Sequence, residues 1–209
     1  MQPEEINALL VAHEPKRSRT IVIVDFGNVE KWKHGLGWRV GIRELATLVK
    51  HFSTGQRFLR RFYYGLDYGP HERSTVLTEW STYIFRTADM NGFSVVNKRV
   101  KYIHSTDAAL GYEKKCDLDV EMAIDLIEEQ ENYDTVVLLS GDGDLVRALR
   151  YLQEKRGKRT IVMSARGHIG REIIDAKKEG VISDILYADD FEYRLNMDRF
   201  RPKTSKPRR

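Results

Sequence analysis

Thr135-Val136-Val137-Leu138-Leu139-Ser140-Gly141-Asp142-Gly143-Asp144 is the stretch that decides the fold. Its first five residues are apolar or β-branched without interruption, the pattern of a strand covered on both faces. The strand then breaks at a Ser-Gly turn and opens into two carboxylates two residues apart. A helical pattern follows from about 143 to 156, with Leu145, Ala148, Leu149 and Leu152 on one face and Gly157 at its end. Earlier in the chain, Thr20-Ile21-Val22-Ile23-Val24 is a second such strand, and it too ends on a carboxylate, Asp25. Two buried strands delivering acids at the same kind of position imply one site assembled from distant sequence.

Strands and helices alternate on either side of that stretch. The segment holding Gly27, Asn28, Gly35 and Gly37 reads as turns, and Ile42, Leu45, Ala46 and Val49 predict a helix over about 40–52. Phe58, Phe62 and Tyr64 alternate with Arg57, Arg61 and Tyr63 in a strand at about 57–64. Breaks at Gly65 and Gly69-Pro70, a helix near 71–90 and a strand at Phe93–Val96 come next. Residues 98–115 are basic and irregular. A helix over 119–131, the strand at 134–139, a strand at Thr160–Met163, a helix near 168–178 and a short strand at 184–187 complete the pattern. Such alternation predicts an α/β fold with a central, mainly parallel sheet covered on both faces. One domain over 19–190, with an N-terminal arm at 1–18 and a basic tail at 191–209, is the simplest division.

With 209 residues, 41% hydrophobic and 10% aromatic, the chain can bury a substantial core. No run approaches the ~18 apolar residues that span a bilayer, so no membrane partner is expected. Residues 1–19 lack a basic start followed by an apolar core, and no signal peptide is expected. The single Cys116 excludes an internal disulfide and fits a reducing cytoplasm. Net charge is only +4, but residues 194–209 carry seven of the basic residues against Asp198 alone. Such a tail suits a nucleic-acid backbone, or simply keeps the chain in solution.

In open α/β sheets ligands sit beyond the carboxyl ends of strands, where the strand order reverses. Asp25 and Asp142 occupy that kind of position, and Asp144 lies two residues further on. Capping the next helix would explain one of the latter two acids but not both, because like charges placed together repel unless a cation or proton intervenes. Asp119 opens a helix on the face of Met122, Ala123 and Leu126, where it is either a cap or a ligand; Asp117 is its neighbouring rival. Asp125, roughly 240° around the helix from Asp119, suits a salt bridge or a substrate contact. Oxygen ligands without a Cys/His cluster select Mg²⁺ or Mn²⁺, and such acids serve mostly phosphoryl transfer. Asp25, Asp119, Asp142 and Asp144 are the expected ligands and catalytic acids. Asn28 either orients a carboxylate or makes a turn with Gly27. Ser140 is a candidate phosphate contact, and Lys98, Arg99, Lys101 and Lys115 a candidate basic rim. The histidines show no ligand spacing.

These residues are also where the chain resembles a family. Ile21-Val22-Ile23-Val24-Asp25-Phe26-Gly27-Asn28 resembles the D-x-x-N opening of NYN domains, the LabA-like branch of the PIN-like nuclease superfamily. Lys115-Cys116-Asp117-Leu118-Asp119-Val120-Glu121-Met122-Ala123-Ile124-Asp125-Leu126 resembles that family's K-(x)-D-V-x-x-A-x-D-L helix, its two acids falling on Asp119 and Asp125. Tyr133 to Asp144 resembles the Y-D-x-x-x-L-x-S-G-D-x-D signature, and Gly157-Lys158-Arg159-Thr160-Ile161-Val162 the strand that follows it. The matches run in order over about 20–190. Departures are the extra acid Asp117, which allows a ligand register shifted by two, Leu145 where Phe is frequent, and a long segment between Arg166 and Asp184. The resemblance implies a three-layer α/β/α PIN-like (Rossmann-like) fold and a divalent-metal ribonuclease site of Asp25, Asp119, Asp142 and Asp144, with Asn28 close by.

The function expected is that of a Mg²⁺- or Mn²⁺-dependent nuclease, an endoribonuclease acting on single-stranded or structured RNA. A homodimer is left open beside the monomer. The alternative is an RNA-binding or regulatory scaffold with a vestigial pocket. Reading Asp142-Gly143-Asp144 as the D-x-D of a nucleotide-sugar transferase would leave Asp25 and Asp119 unexplained.

Overall fold

The computed structural model describes residues 2–13, 19–52, 58–70, 74–105 and 111–199. Among them the strands are β1 (Thr20–Asp25), β2 (Phe58–Leu66), β3 (Ser94–Arg99), β4 (Lys101–His104), β5 (Tyr112–Lys115), β6 (Thr135–Leu139), β7 (Arg159–Ser164) and β8 (Asp184–Tyr187). The helices are α1 (Pro3–His13), α2 (Phe26–Lys31), α3 (Lys33–Leu36), α4 (Ile42–Val49), α5 (Glu79–Met90), α6 (Asp119–Glu128), α7 (Val146–Arg156), α8 (Arg171–Lys178) and α9 (Glu192–Leu195). None is long and apolar enough to cross a membrane.

Six strands form one sheet in the order β3-β2-β1-β6-β7-β8, every neighbouring pair parallel. The unbroken apolar strands are explained by this architecture. Val22 and Val24 of β1 enter a core shared with α1, α2, α4 and α5, while Ile21 and Ile23 enter a second core with α6, α7 and α8. Val137 and Leu139 of β6 join the first core, Val136 and Leu138 the second. Burying each such side chain is worth about 1.5–3 kcal/mol, and both faces of these central strands collect it. The three-layer α/β expectation holds.

The chain begins at the centre of the sheet, moves outward through β2 and β3, and returns to β6 beside β1. It then leaves through β7 and β8 to the other edge. The order therefore reverses between β1 and β6. Their register pairs Val24 with Leu139, so Asp25 and Ser140 follow side by side at the carboxyl end of that seam.

Four local expectations differ from the structure. The segment read as turns around Gly27 and Asn28 is helical, α2 and α3, because Phe26, Val29 and Trp32 all find the core. The region read as basic and irregular holds the end of β3 and the antiparallel β4–β5 hairpin. Tyr102 and Tyr112, with ring centroids 4.9 Å apart edge to face, pair across that hairpin. The helix expected from about 71 starts at Glu79, where the Ser81 N–H donates to the Thr78 hydroxyl. Finally, the packed body reaches beyond 19–190. Ile6 and Leu10 of α1, together with Phe191 and Leu195, are buried in the core of the sheet's first face. Gly41 N–H donates to Leu195 O at 2.9 Å and Arg39 Nε to Asp198 Oδ2 at 3.1 Å. Each end brings apolar residues four apart, enough to close an open flank. The expected basic residues Arg57 and those from Arg201 onward lie outside the described residues.

Candidate active site

Asp25 ends β1 and caps α2. Its Oδ1 accepts the Asn28 N–H at 3.1 Å and its Oδ2 the Ser140 hydroxyl at 2.9 Å. Burial pushes this carboxyl's pKa up; the Asn28 amide and the Ser140 hydroxyl pull it back, Asp142 adds repulsion, and Lys31 offsets some of that. The Asn28 side chain works across the seam, its Oδ1 accepting Gly141 N–H at 3.0 Å and Trp32 Nε1–H at 2.8 Å. Asn28 thus fastens the acid-bearing loop after β6 to the helix after β1, which is more than a turn residue does.

The loop itself is held tightly. Asp142 N–H donates to Ser140 Oγ at 3.1 Å, and Gly170 N–H donates to Gly141 O at 2.7 Å. A Cβ on Gly141 would sit 1.8 Å from His168 O, so glycine is the residue that fits. Asp144 N–H donates to Asp142 Oδ1 at 3.2 Å. No side chain caps α7, so Asp144 is not spent as the cap that its position suggested.

Opposite this loop, α6 opens with Asp119. Asp117 Oδ1 accepts the Asp119 N–H at 3.1 Å, which satisfies the first amide of α6, and the Asp119 carboxylate lines the cleft. Carboxylate oxygens of Asp119, Asp142 and Asp144 lie within 4.8 Å of one another. Burial, the hydrogen bond and charge of Asp117, and the charges of Asp142 and Asp25 push the Asp119 carboxyl up to about 7. These acids line a cleft of ≈ 530 Å³ that also takes in Asp25, Asn28 and Lys31.

The donor set suits a hard divalent cation. It offers only oxygens, three of them close enough to share one ion. Burial is the first cause of the raised Asp119, and the neighbouring carboxylates Asp117, Asp142 and Asp25 add to it. Asp25, the fourth expected ligand, lines the same cleft, and each of its oxygens accepts one hydrogen bond inside the protein.

The match to the NYN domain model extends over residues 19–185, nearly the whole of the packed sheet and all of these acids. The chain belongs to the NYN domain family. The Low amplitude and bright protein LabA of Synechococcus elongatus is 29% identical over 160 residues, covering 76% of this chain and 80% of its own. A solved structure, that of a Vibrio parahaemolyticus protein of unknown function, matches with a TM-score of 0.60 at 20% identity, covering 85% of this chain and 97% of its own. That likeness concerns the fold, which is the PIN-like α/β arrangement.

Within this NYN domain, Asp25, Asn28, Asp119, Asp142 and Asp144 converge on one cleft. Ser140 is fully buried, its hydroxyl spent on Asp25 and on Asp142 N–H, so it positions the loop instead of touching phosphate. The basic rim is redistributed. Lys115 lines the cleft, joined by Lys31 and Lys114. Lys98 instead pairs with Glu121 and donates to Asp117 O at 3.2 Å, which steadies the start of α6. The Arg99 guanidinium lies over the Tyr68 ring, and Lys101 is exposed on β4. Asp125 takes the salt-bridge role, accepting from Tyr63 OH at 2.5 Å and Arg61 at 3.3 Å. Sequence reading missed Asp67, a buried carboxylate in the cleft wall. It accepts from Tyr102 OH and from Lys114 Nζ at 2.7 Å, tying the β4–β5 hairpin to the site. Its only signal is an acid just after the apolar end of β2, the same kind of placement as Asp25.

Proposed function

We propose that this NYN domain is a divalent-metal-dependent endoribonuclease. The observation that carries the reading is the convergence of Asp119, Asp142 and Asp144 oxygens within 4.8 Å at the seam where the strand order reverses. Those three residues would hold Mg²⁺ or Mn²⁺, which when bound supplies charge stabilisation to a phosphodiester and makes water a competent nucleophile near neutral pH. Asp25, fixed by Ser140 and Asn28, sets the negative edge of the cleft and orients groups that donate to it. Asn28 holds the Gly141 amide in place, so that Asp142 keeps its aim. Lys31 and Lys115 offer cations to the phosphates on either side of the scissile bond, and an oxygen-lined cleft open to solvent admits a strand.

RNA and DNA incubated with the full chain in Mg²⁺, Mn²⁺ or EDTA test the reading, alongside Asp142→Ala. RNA cleavage that needs the metal and is lost with the substitution is expected. Cleavage that survives both EDTA and Asp142→Ala would overturn the metal site. RNA binding without cleavage in either metal would make the domain a scaffold.

A further inference from the structure

Two aromatic rings stand exposed at the acidic cleft, Trp80 in its lining and Tyr83 stacked against it. Trp80 and Tyr83, three apart on α5, are 44% and 41% exposed. Their rings stack on each other, with centroids 5.4 Å apart and planes 25° from parallel. Trp80 Nε1–H donates to Glu30 Oε1 at 2.7 Å, which fixes the indole's orientation while leaving the ring accessible. Burial raises the Glu30 carboxyl, while Trp80, Lys33 and Lys114 pull it down.

That hydrogen bond ties the aromatic pair of α5 to α2, the short helix that Asp25 caps. Asp25 caps α2 and Glu30 is its fifth residue, so the two anchors are separated by about 7–8 Å along the axis. Trp80 lines the acidic cleft itself, together with Lys31 and Lys114. The cleft's ≈ 530 Å³ is far more than a cation and its water need, since a water occupies about 30 Å³. One cleft is therefore lined by carboxylates, by the cations Lys31, Lys114 and Lys115, and by Trp80, whose exposed ring is already stacked on Tyr83.

We propose that Trp80, backed by Tyr83, is a stacking subsite for an unpaired nucleobase of the strand held in the acidic cleft. The inference rests on the ribonuclease reading and deepens it. A π-face accepts any base, so the subsite selects single-stranded over duplex RNA without selecting sequence. Tyr83 serves as a positioning residue, holding the indole from behind.

The test is a coupling measurement on the full chain carrying Asp142→Asn to stop turnover, in Mg²⁺. A short single-stranded oligoribonucleotide and the same backbone with abasic sites are titrated against it, with and without Trp80→Ala or Trp80→Phe. The expected results are a loss of affinity of about ten-fold or more with Trp80→Ala, a smaller loss with Trp80→Phe, and little further loss on the abasic strand. Quenching of tryptophan emission by the natural oligonucleotide should also vanish in Trp80→Phe. Equal losses on both strands, or none on either, overturn the subsite while metal-dependent cleavage by the unsubstituted domain leaves the nuclease reading standing. Emission that changes with protein concentration but not with RNA would make the rings a contact between copies and also overturn it. Absence of any single-stranded RNA binding overturns both.

Discussion

The Ser140 hydroxyl donates to Asp25 Oδ2 at 2.9 Å across the seam between β1 and β6, and its oxygen also accepts Asp142 N–H at 3.1 Å. One buried side chain thus offsets part of the rise that burial imposes on one acid and holds the backbone of another. Ser140→Ala removes a hydrogen bond that lowers the Asp25 pKa, so that carboxyl rises further from its ordinary value. The acidic limb of the pH–rate profile should move to higher pH, because a higher pH is then needed to ionise Asp25. The orphaned Asp142 amide should cost about 1–3 kcal/mol. A profile unchanged in pH and merely scaled down would remove Asp25 from the reaction.

Gly141 has no room for a side chain, since a Cβ would lie 1.8 Å from His168 O. Backbone, not a flexible tip, is the obstacle. Gly141→Ala should therefore push the loop away from the segment at 165–170 and break the Gly170-to-Gly141 hydrogen bond. A destabilisation of about 3 kcal/mol or more is expected, beyond ordinary overpacking. Denaturant unfolding measures it; a loss under 1 kcal/mol would show that the loop can yield.

Parallel strands announce themselves in Thr135–Leu139 and Thr20–Val24 because both their faces are buried, and the acids after them are legible for the same reason. That the Asp117 carboxylate turns back to the Asp119 amide was not, since only the folded segment fixes it. The β4–β5 hairpin was hidden because its stability comes from Tyr102 on Tyr112 and from Asp67 held 35 residues away in sequence. Local periodicity carries no trace of such a pairing. Lys98 shows the limit of composition: its charge is plain, but its partner Glu121 is set by the fold.

Asp125 gives a contrast with the triad. It accepts from Tyr63 OH and Arg61, while Arg61 also donates to Glu129 at 2.7 Å. Burial, then Asp125, holds the Tyr63 phenol well above its ordinary pKa, so it stays a donor. Asp125→Ala leaves a phenol and a guanidinium short of an acceptor and should cost about 3 kcal/mol. Asp142→Ala, at a half-exposed loop position, should abolish cleavage with little change in stability. Thermal melts and cleavage assays on both variants separate the roles. Asp125→Ala that is stable but inactive would move that residue into the reaction.

Asp119 ties stability to pH and to metal. Its native carboxyl is raised to about 7, above its unfolded value near 4. Between those values the native state binds more protons than the unfolded one, so metal-free stability should fall as pH rises from about 4 through 7. Asp119→Asn removes the penalty, and the metal-free Tm at pH 8 should rise above that of the unsubstituted domain. Saturating Mg²⁺ or Mn²⁺ should reverse the order, since a ligand at a hundred times its Kd stabilises the native state by about 2.7 kcal/mol and the variant offers a neutral amide in place of one of the three carboxylates. Melting both proteins at pH 5 and pH 8, with and without metal, checks the sign at every corner. A metal-induced rise of equal size in both would place the ion away from Asp119.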